Sequence, residues 1–187
     1  MTFNNENWRS SRLSELCEFQ GGGTPSTKVP SFWCGNIPWV SSADIGENIW
    51  EIKKQRFITN DAVLKSATKI NKKGSILVVT RVGVGKIAIA DENICTSQDF
   101  TNLFTKEIDV VFLTYLLKKR ISVLSSQTQG TSIKGITTKE LKDLQIKYPS
   151  KRTQEKIAYF MKAIDERIET QNKIIKEHNS YIFSLCF

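Results

Sequence analysis

Residues 150–187, SKRTQEKIAYFMKAIDERIETQNKIIKEHNSYIFSLCF, contain neither glycine nor proline, unlike the rest of the chain. Ser150 or Thr153 can cap a helix that starts here. From Ile157 onwards, mainly apolar residues recur in alternating steps of four and three, which is the heptad spacing of a coiled-coil seam. These seam positions are Ile157, Met161, Ile164, Ile168, Gln171, Ile175, His178, Ile182 and Leu185. We predict one long helix over residues 150–187, roughly 50 Å long at ~1.5 Å per residue.

A helix of this length exceeds the radius of the domain that the preceding residues can form. We therefore predict that part of the seam faces a second helix, so that residues 150–187 serve for dimerisation and spacing. The alternative is a terminal helix that lies wholly on its own domain. Gln171 and His178 interrupt the apolar seam, and such polar positions can fix the register of a partner helix. His178 also fits a half-exposed residue near a frayed helix end.

Residues 1–149 mix short strand patterns, glycine-rich loops and short helical patterns, which predicts a separate domain. Residues 75–80 and 86–90 are apolar runs on either side of a Gly-Val-Gly turn and predict a hairpin. Helices are predicted over residues 59–67 and 108–121, and Thr137 with Glu140 forms a capping box that starts another. The fold class is therefore predicted to be α+β: a mixed α/β domain followed by a long coiled-coil helix.

The charge balance of the chain is basic. Among 187 residues, 27 are Lys or Arg and 19 are Asp or Glu, a formal net charge of +8. A basic excess of this size indicates a polyanionic partner, and nucleic acid is the commonest. The alternative is a basic surface that serves only solubility. The apolar fraction of 40% fits a globular core and argues against general disorder.

The sequence predicts neither a metal site nor a cofactor site. Its four cysteines are far apart and its single histidine is His178, so zinc ligands are not clustered. Reduced thiols, the lack of a signal peptide at residues 1–6 and the lack of an apolar run of ~20 residues predict a cytoplasmic protein. The run Gly83-Val84-Gly85-Lys86 fails as a phosphate-binding loop because Thr80 and Ile87 occupy required positions.

One weak pattern suggests catalysis. Asp44 precedes Glu51-Ile52-Lys53, and metal-dependent nucleases use two carboxylates to hold a cation and a lysine to steady the phosphate. Charged triplets are common in a chain in which 25% of residues are charged. A nuclease that uses Asp44, Glu51 and Lys53 is therefore kept only as an alternative.

Several segments, taken in their order and spacing, resemble the specificity subunits of Type I restriction–modification systems. The run from Trp33 to Val40 is similar to the family's W-x-G-x-I-P-W pattern, and the run that begins at Gln129 is the strongest match. The segments are Trp8-Arg9, Leu13-Ser14-Glu15-Leu16, Gly22-Gly23-Thr24-Pro25-Ser26, Trp33-Cys34-Gly35-Asn36-Ile37-Pro38-Trp39-Val40, Asp44-Ile45, Arg81-Val82-Gly83-Val84-Gly85, Ser97-Gln98, Gln129-Gly130-Thr131-Ser132, Ile136, Leu141, Pro149, Gln154-Glu155-Lys156-Ile157-Ala158, Ile164-Asp165 and Ile168.

The resemblance implies a non-catalytic target-recognition domain over residues 1–149 that reads one half of a bipartite site in double-stranded DNA. It also implies that the long helix sets the distance between two such domains by antiparallel pairing. Methyltransferase subunits would dock on the assembly, and a motor nuclease subunit can join it. The family's usual subunit has two recognition domains and two helices, whereas this chain has one of each. It is therefore either a half-subunit or a fragment, and we expect a homodimer that reads a symmetric, interrupted site.

Loop residues are the candidates for DNA contact. Backbone N–H groups of the loop Gly21–Ser26 can approach a phosphate closely, and residues 127–135 are dense in polar groups that can read base edges. Phosphate contacts are expected from Lys28, Arg81, Lys86 and Lys134. Base contacts are expected from Ser41, Ser42, Gln98, Gln129, Thr131 and Ser132. A third possibility is an assembly module whose helix docks partners while its domain binds no DNA.

Overall fold

The computed structural model describes the backbone of residues 8–127 and 135–186, and the side chains of residues 8–123 and 135–180. Within these residues the strands are β1 (Arg9–Arg12), β2 (Glu18–Gly21), β3 (Ile37–Val40), β4 (Arg56–Ile58), β5 (Ile70–Asn71), β6 (Ile76–Val79), β7 (Ile87–Ile89), β8 (Ile94–Thr96), β9 (Phe100–Phe104) and β10 (Gln145–Tyr148). The α-helices are α1 (Leu13–Leu16), α2 (Asn60–Leu64), α3 (Val110–Gln127), α4 (Thr138–Asp143) and α5 (Lys151–Cys186). Short 3-10 helices span Pro30–Trp33 and Ser42–Asp44.

The described strands form two four-stranded sheets and one two-stranded ladder. The first sheet has the antiparallel order β2-β9-β6-β7, and the second has the order β4-β3-β8-β5. Strands β3 and β8 run parallel, whereas the other pairs are antiparallel. The ladder joins β1 to β10 and so connects the two ends of the domain. The mixed α+β class predicted from the sequence is confirmed.

The predicted hairpin is confirmed, because β6 pairs with β7 in the register Ile76↔Ile89. Gly83 and Gly85 in its turn have φ angles of +83° and +103°. Residues with a Cβ rarely adopt this conformation, which explains glycine at both positions. Helix α2 begins after its cap Thr59, and α4 begins after its cap Thr137, which forms the predicted capping box with Glu140 in the first turn of the helix. Helix α3 covers most of the predicted helix and extends beyond its end.

The apolar core lies on both faces of the first sheet. The larger cluster packs α1, α3, α4 and the start of α5 against one face, with Leu13, Ile76, Leu113 and Leu117 among its buried members. A second cluster fills the space between the two sheets, where Leu77 and Phe100 meet residues of β3 and β8. Alternate residues of β6 therefore point into different clusters, as the two-residue period of a strand requires.

Helix α5 is anchored by its first turns. The Gln154 side chain is buried: its Nε2 donates a hydrogen bond to the Pro149 carbonyl oxygen at 2.9 Å, and its Oε1 accepts one from the Asp109 N–H at 2.8 Å. Farther along, the Tyr115 hydroxyl of α3 donates a hydrogen bond to Asp165. These contacts fix the direction in which α5 leaves the domain.

The long helix predicted from the sequence is confirmed, since α5 has 36 residues. Ile157 and Met161 are half-buried, whereas 52% of Ile168 and 56% of Ile175 is exposed. Ile164, Gln171 and His178 are also exposed, and the side chains of Ile182 and Leu185 lie outside the described residues. All described side chains from residue 166 onwards are exposed, although Ile168, Glu169 and Asn172 still line an open groove with residues of the segment 47–51 and Lys118 of the domain. The boundary at residue 149 and a partner for the seam stay predictions. No described helix is long and apolar enough to span a bilayer.

We expect the substitution Gln154→Leu to lower the free energy of unfolding by about 1–3 kcal/mol, because it leaves the Asp109 N–H and the Pro149 carbonyl without their partner. Urea titration followed by circular dichroism measures the change. The matched control is Glu155→Leu at the exposed neighbouring position, which should change stability by no more than about 0.5 kcal/mol. Equal stability of both variants would contradict the anchoring role of Gln154.

Candidate nucleic-acid interface

Strands β3, β6 and β8 end at one edge of the domain. The Ser97 N–H donates a hydrogen bond to the Val40 carbonyl at 2.9 Å, and the Thr80 N–H donates one to the Asp99 carbonyl at 2.8 Å. These bonds join the residues that follow the three strands. Ser41 and Ser42 follow β3, Arg81 follows β6, and Gln98 follows β8. The structure thus places four of the predicted DNA-contacting residues at the same edge.

A cleft of about 480 Å³ opens at this edge. Its walls come from the glycine-rich loop, the ends of β6 and β8, the start of β9 and the residues that precede α4. The lining residues are Gly21, Gly22, Thr80, Arg81, Gln98, Phe100, Thr101, Gly135, Ile136, Thr137 and Thr138. Arg81 and Gln98 are exposed, and Gln98 accepts a hydrogen bond from the Thr24 hydroxyl. We call this set of residues the cleft.

Gly135 and Ile136, which follow the segment with the strongest family resemblance in the sequence, line the cleft. The Ile136 N–H donates a hydrogen bond to the Thr80 carbonyl at 2.8 Å. A Cβ on Gly135 would lie 2.6 Å from the same oxygen, so this approach requires glycine. The predicted residues Gln129, Thr131, Ser132 and Lys134 lie outside the described residues. Gly135, the first described residue after them, lies beside Arg81.

Two predicted phosphate contacts are not part of the cleft. Lys28 is exposed on the loop before the first 3-10 helix, but it does not line the cleft. Lys86 is half-buried, and its Nζ donates a hydrogen bond to the Ile45 carbonyl oxygen at 2.9 Å. Its ammonium group therefore holds the segment after the second 3-10 helix against the β6–β7 hairpin.

The proposal that the glycine-rich loop offers its backbone N–H groups to a phosphate is wrong for Gly22 and Gly23. Their N–H groups donate to the carbonyl oxygens of Phe100 and Thr96, at 3.4 Å and 2.8 Å. A Cβ on Gly22 would lie 2.0 Å from the Ser97 oxygen. These glycines therefore allow the loop to lie close to another segment of the same chain.

Arg56 is a cation of this edge that the sequence analysis missed. Its guanidinium carbon lies 4.4 Å from the centre of the Trp39 ring, its Nη2 donates to the Ser41 hydroxyl at 2.8 Å, and it forms an ion pair with Asp44. The side chain is 41% exposed, so its remaining N–H groups can reach a ligand. Arg56 is positioned by pairing between β4 and β3, which no local pattern indicates.

The carboxylate of Asp44 has a structural role. Burial alone would raise the pKa of Asp44, but hydrogen bonds from the Ser41 N–H and hydroxyl and from Arg56, together with the Arg56 charge, hold the pKa below its ordinary value. Lys53 contacts Asp44 through its own backbone N–H. Among the described residues, no three His, Cys, Asp or Glu side chains form a group that could hold a metal. The geometry does not support a nuclease built on Asp44, Glu51 and Lys53.

We expect Asp44→Asn to lower the free energy of unfolding by about 1.5 kcal/mol at neutral pH, because the hydrogen bonds from Ser41 and Arg56 then reach a neutral acceptor in place of a charged one. A lowered folded-state pKa stabilises the protein above the unfolded pKa of about 3.9, and this contribution disappears as the pH falls through the folded-state pKa. The difference in the free energy of unfolding between the variant and the wild type should therefore disappear at acidic pH. Urea titrations at several pH values test this.

The control for this titration is Asp91→Asn, since Asp91 pairs with Lys54 but is 62% exposed. An exposed ion pair contributes little, so its effect should stay within about 0.5 kcal/mol at every pH. A stability gap for Asp44→Asn that does not change with pH would contradict the assigned ionisation of Asp44.

Comparison with known proteins gives consistent matches. The family described as Type I restriction modification DNA specificity domain matches residues 5–178. The chain is 33% identical over 190 residues to the Type I restriction enzyme MjaIX specificity subunit of Methanocaldococcus jannaschii, covering 97% of this chain and 44% of the relative. It is 30% identical over 166 residues to the EcoR124I/EcoR124II specificity subunit of Escherichia coli, covering 84% of this chain and 40% of that relative.

Solved structures share the fold. The HsdS subunit from Thermoanaerobacter tengcongensis has a TM-score of 0.67 at 21% identity, over 90% of this chain and 40% of that one. A chain from a structure of the type I R-M system has a TM-score of 0.76 at 20% identity, over 98% of this chain and 45% of that one. The chain thus spans less than half the length of the relatives that it matches.

Proposed function

The chain belongs to the family of Type I restriction modification DNA specificity domains, and from this premise we propose that it binds a specific sequence in double-stranded DNA through the cleft and the edge around it. The observation that carries this proposal is the convergence of Arg81, Gln98, Ser41 and Ser42 at one edge. Arginine and glutamine are side chains that bind phosphates and base edges. The net charge of +8 favours the same partner.

The proposed role is recognition without catalysis. The relatives that the chain matches are named specificity subunits of Type I restriction enzymes. We propose that this chain likewise reads half of a bipartite site in the cytoplasm, and that methyltransferase subunits, with or without a motor nuclease, supply the chemistry. Gln129, Thr131, Ser132 and Lys134 remain proposed contacts, because Gly135, which follows them in the sequence, lines the cleft.

We expect Arg81→Ala to weaken DNA binding to all sequences and to reduce the slope of log K against log salt by about one, because one phosphate contact is lost. Fluorescence anisotropy of labelled duplexes over a range of salt concentrations measures both effects. The control is Lys176→Ala, which removes the same charge from an exposed position far along α5. An unchanged salt slope for Arg81→Ala would remove Arg81 from the site.

The recognised sequence can be found by selecting bound duplexes from a randomised pool and sequencing them. Enrichment of one motif supports sequence-specific reading. Unselective binding would contradict sequence-specific reading, and absent binding would favour an assembly module that docks partners and binds no DNA.

A second proposal concerns α5, which we propose pairs with the α5 helix of a second copy in antiparallel orientation. The seam residues Ile164, Ile168 and Ile175 are exposed, and Ile175 lies beyond the residues of α5 that contact the domain or line a groove with it. An exposed apolar seam with heptad spacing is the surface that coiled-coil pairing buries. The homodimer would hold two reading edges at a separation set by the helix length.

We expect the double variant Ile168→Asp/Ile175→Asp to be monomeric at concentrations where the wild type is dimeric, because four charges would be buried in the paired seam. Sedimentation equilibrium measures the mass. The single variant Thr170→Asp introduces charge at an exposed position outside the seam and should leave the dimer intact. A wild-type chain that is monomeric at tens of micromolar would overturn the pairing.

A further inference from the structure

Arg56 of β4 is held in one orientation by its neighbours. Its guanidinium carbon lies 4.4 Å from the centre of the Trp39 ring, and its Nη2 donates to the Ser41 hydroxyl at 2.8 Å and to the Asp44 carboxylate. The Trp39 ring is fixed in turn, because only 3% of the residue is exposed and its indole N–H donates to the Gly23 carbonyl at 2.9 Å. These contacts leave the guanidinium group little freedom to reorient.

Part of the guanidinium group is available to a ligand. Arginine has five N–H donors, of which two belong to Nη2. The donors on Nη1 and Nε make no hydrogen bond to a described residue, and they belong to a side chain that is 41% exposed. The neighbours of Arg56 therefore orient these donors without occupying them, so little has to be ordered when a ligand binds.

Arg56 lies at the same edge of the domain as the cleft. The Ser41 hydroxyl that it contacts belongs to the residue that follows β3, and Ser42 comes next in the chain. A Cβ on Gly83 would lie 3.7 Å from the Cβ of Ser42, so the turn of the β6–β7 hairpin lies beside Ser42. Arg81 begins that turn and lines the cleft. A continuous run of contacts thus connects Arg56 to Arg81.

The ion pair with Asp44 indicates which part of DNA suits Arg56. Only 10% of the Asp44 side chain is exposed, and its carboxylate lies against the guanidinium group. The two opposite charges offset each other, so Arg56 attracts a phosphate less strongly than Arg81, which pairs with no carboxylate in the described part of the chain. Arg56 still offers directional hydrogen bonds from a fixed group, and base contacts depend on such bonds.

We propose that Arg56 determines specificity by donating hydrogen bonds to one guanine of the recognised sequence. Guanine is the base whose major-groove edge offers two acceptors, O6 and N7, and no donor, and an arginine side chain has donors alone. Ser41 and Asp44 are positioning residues for this contact, because they hold Nη2 and so direct the other N–H groups outwards. The inference rests on the DNA binding proposed above and names one base that this binding reads.

The double variant Arg56→Gln/Asp44→Asn tests the contact, because it removes the guanidinium group and keeps the net charge of the chain. In selection from a randomised pool of duplexes, its preference for guanine at one position of the wild-type motif should fall by about tenfold or more. The slope of log K against log salt should stay at the wild-type value, because no phosphate contact is lost. The matched control is Lys54→Gln/Asp91→Asn, which removes the ion pair whose aspartate precedes β8, at the opposite edge, and should select the wild-type motif.

A modified duplex tests the same contact in the wild-type chain, without any effect of substitution on folding. Replacing the guanine at that position by 7-deazaguanine, which has a carbon in place of N7, should weaken wild-type binding about tenfold and leave binding by the double variant unchanged. A motif that the double variant retains, a motif without guanine, or a salt slope lowered by about one would overturn the role of Arg56 in base reading. A wild-type chain that binds no DNA, or selects no motif, would overturn the proposed function and this inference together.

Discussion

The parallel pairing of β3 with β8 is the constraint on which the cleft depends. Parallel strands end at the same edge of a sheet, and they require a long connection, here residues 41–93. The polar residues that follow the two strands therefore meet, although they are far apart in sequence. The Trp39 indole N–H donates to the Gly23 carbonyl at 2.9 Å and brings the glycine-rich loop to the same edge. The site is thus a product of sheet topology.

The residues that carry the family resemblance serve mainly this framework. The Trp33 and Trp39 rings meet edge to face with centres 5.1 Å apart, and a Cβ on Gly35 would lie 2.0 Å from the Ile58 carbonyl oxygen. Gly22 is confined in the same way by Ser97. Such positions tolerate little change, whereas exposed residues such as Arg81 and Gln98 can change without disturbing the packing. The fold therefore constrains the framework residues and leaves these two exposed residues, which we propose to contact DNA, free to vary.

The features that the sequence predicted correctly depend on residues that are close together in the chain. These features are helix α5, the hairpin of β6 and β7, and the capping box at the start of α4. The engagement of Lys86 by the Ile45 carbonyl, and the position of Arg56 over Trp39, depend on strand partners that periodicity cannot identify. The same reason explains the error at Gly22 and Gly23. A glycine-rich run indicates a close backbone approach, but only the tertiary structure shows which group approaches.

The anchor of α5 determines how a paired helix would orient the reading edges. Gln154 attaches the first turn to Asp109, which precedes α3, Asp165 bonds to Tyr115 of α3, and the described side chains from residue 166 onwards are exposed. Burial, the hydrogen bond to Asp165 and the charge of Asp165 all raise the pKa of Tyr115. Its hydroxyl therefore keeps its proton, and hence its role as donor, throughout the physiological pH range. The hydrogen bond from Tyr115 to Asp165 is therefore retained at these pH values, and it holds α5 against α3.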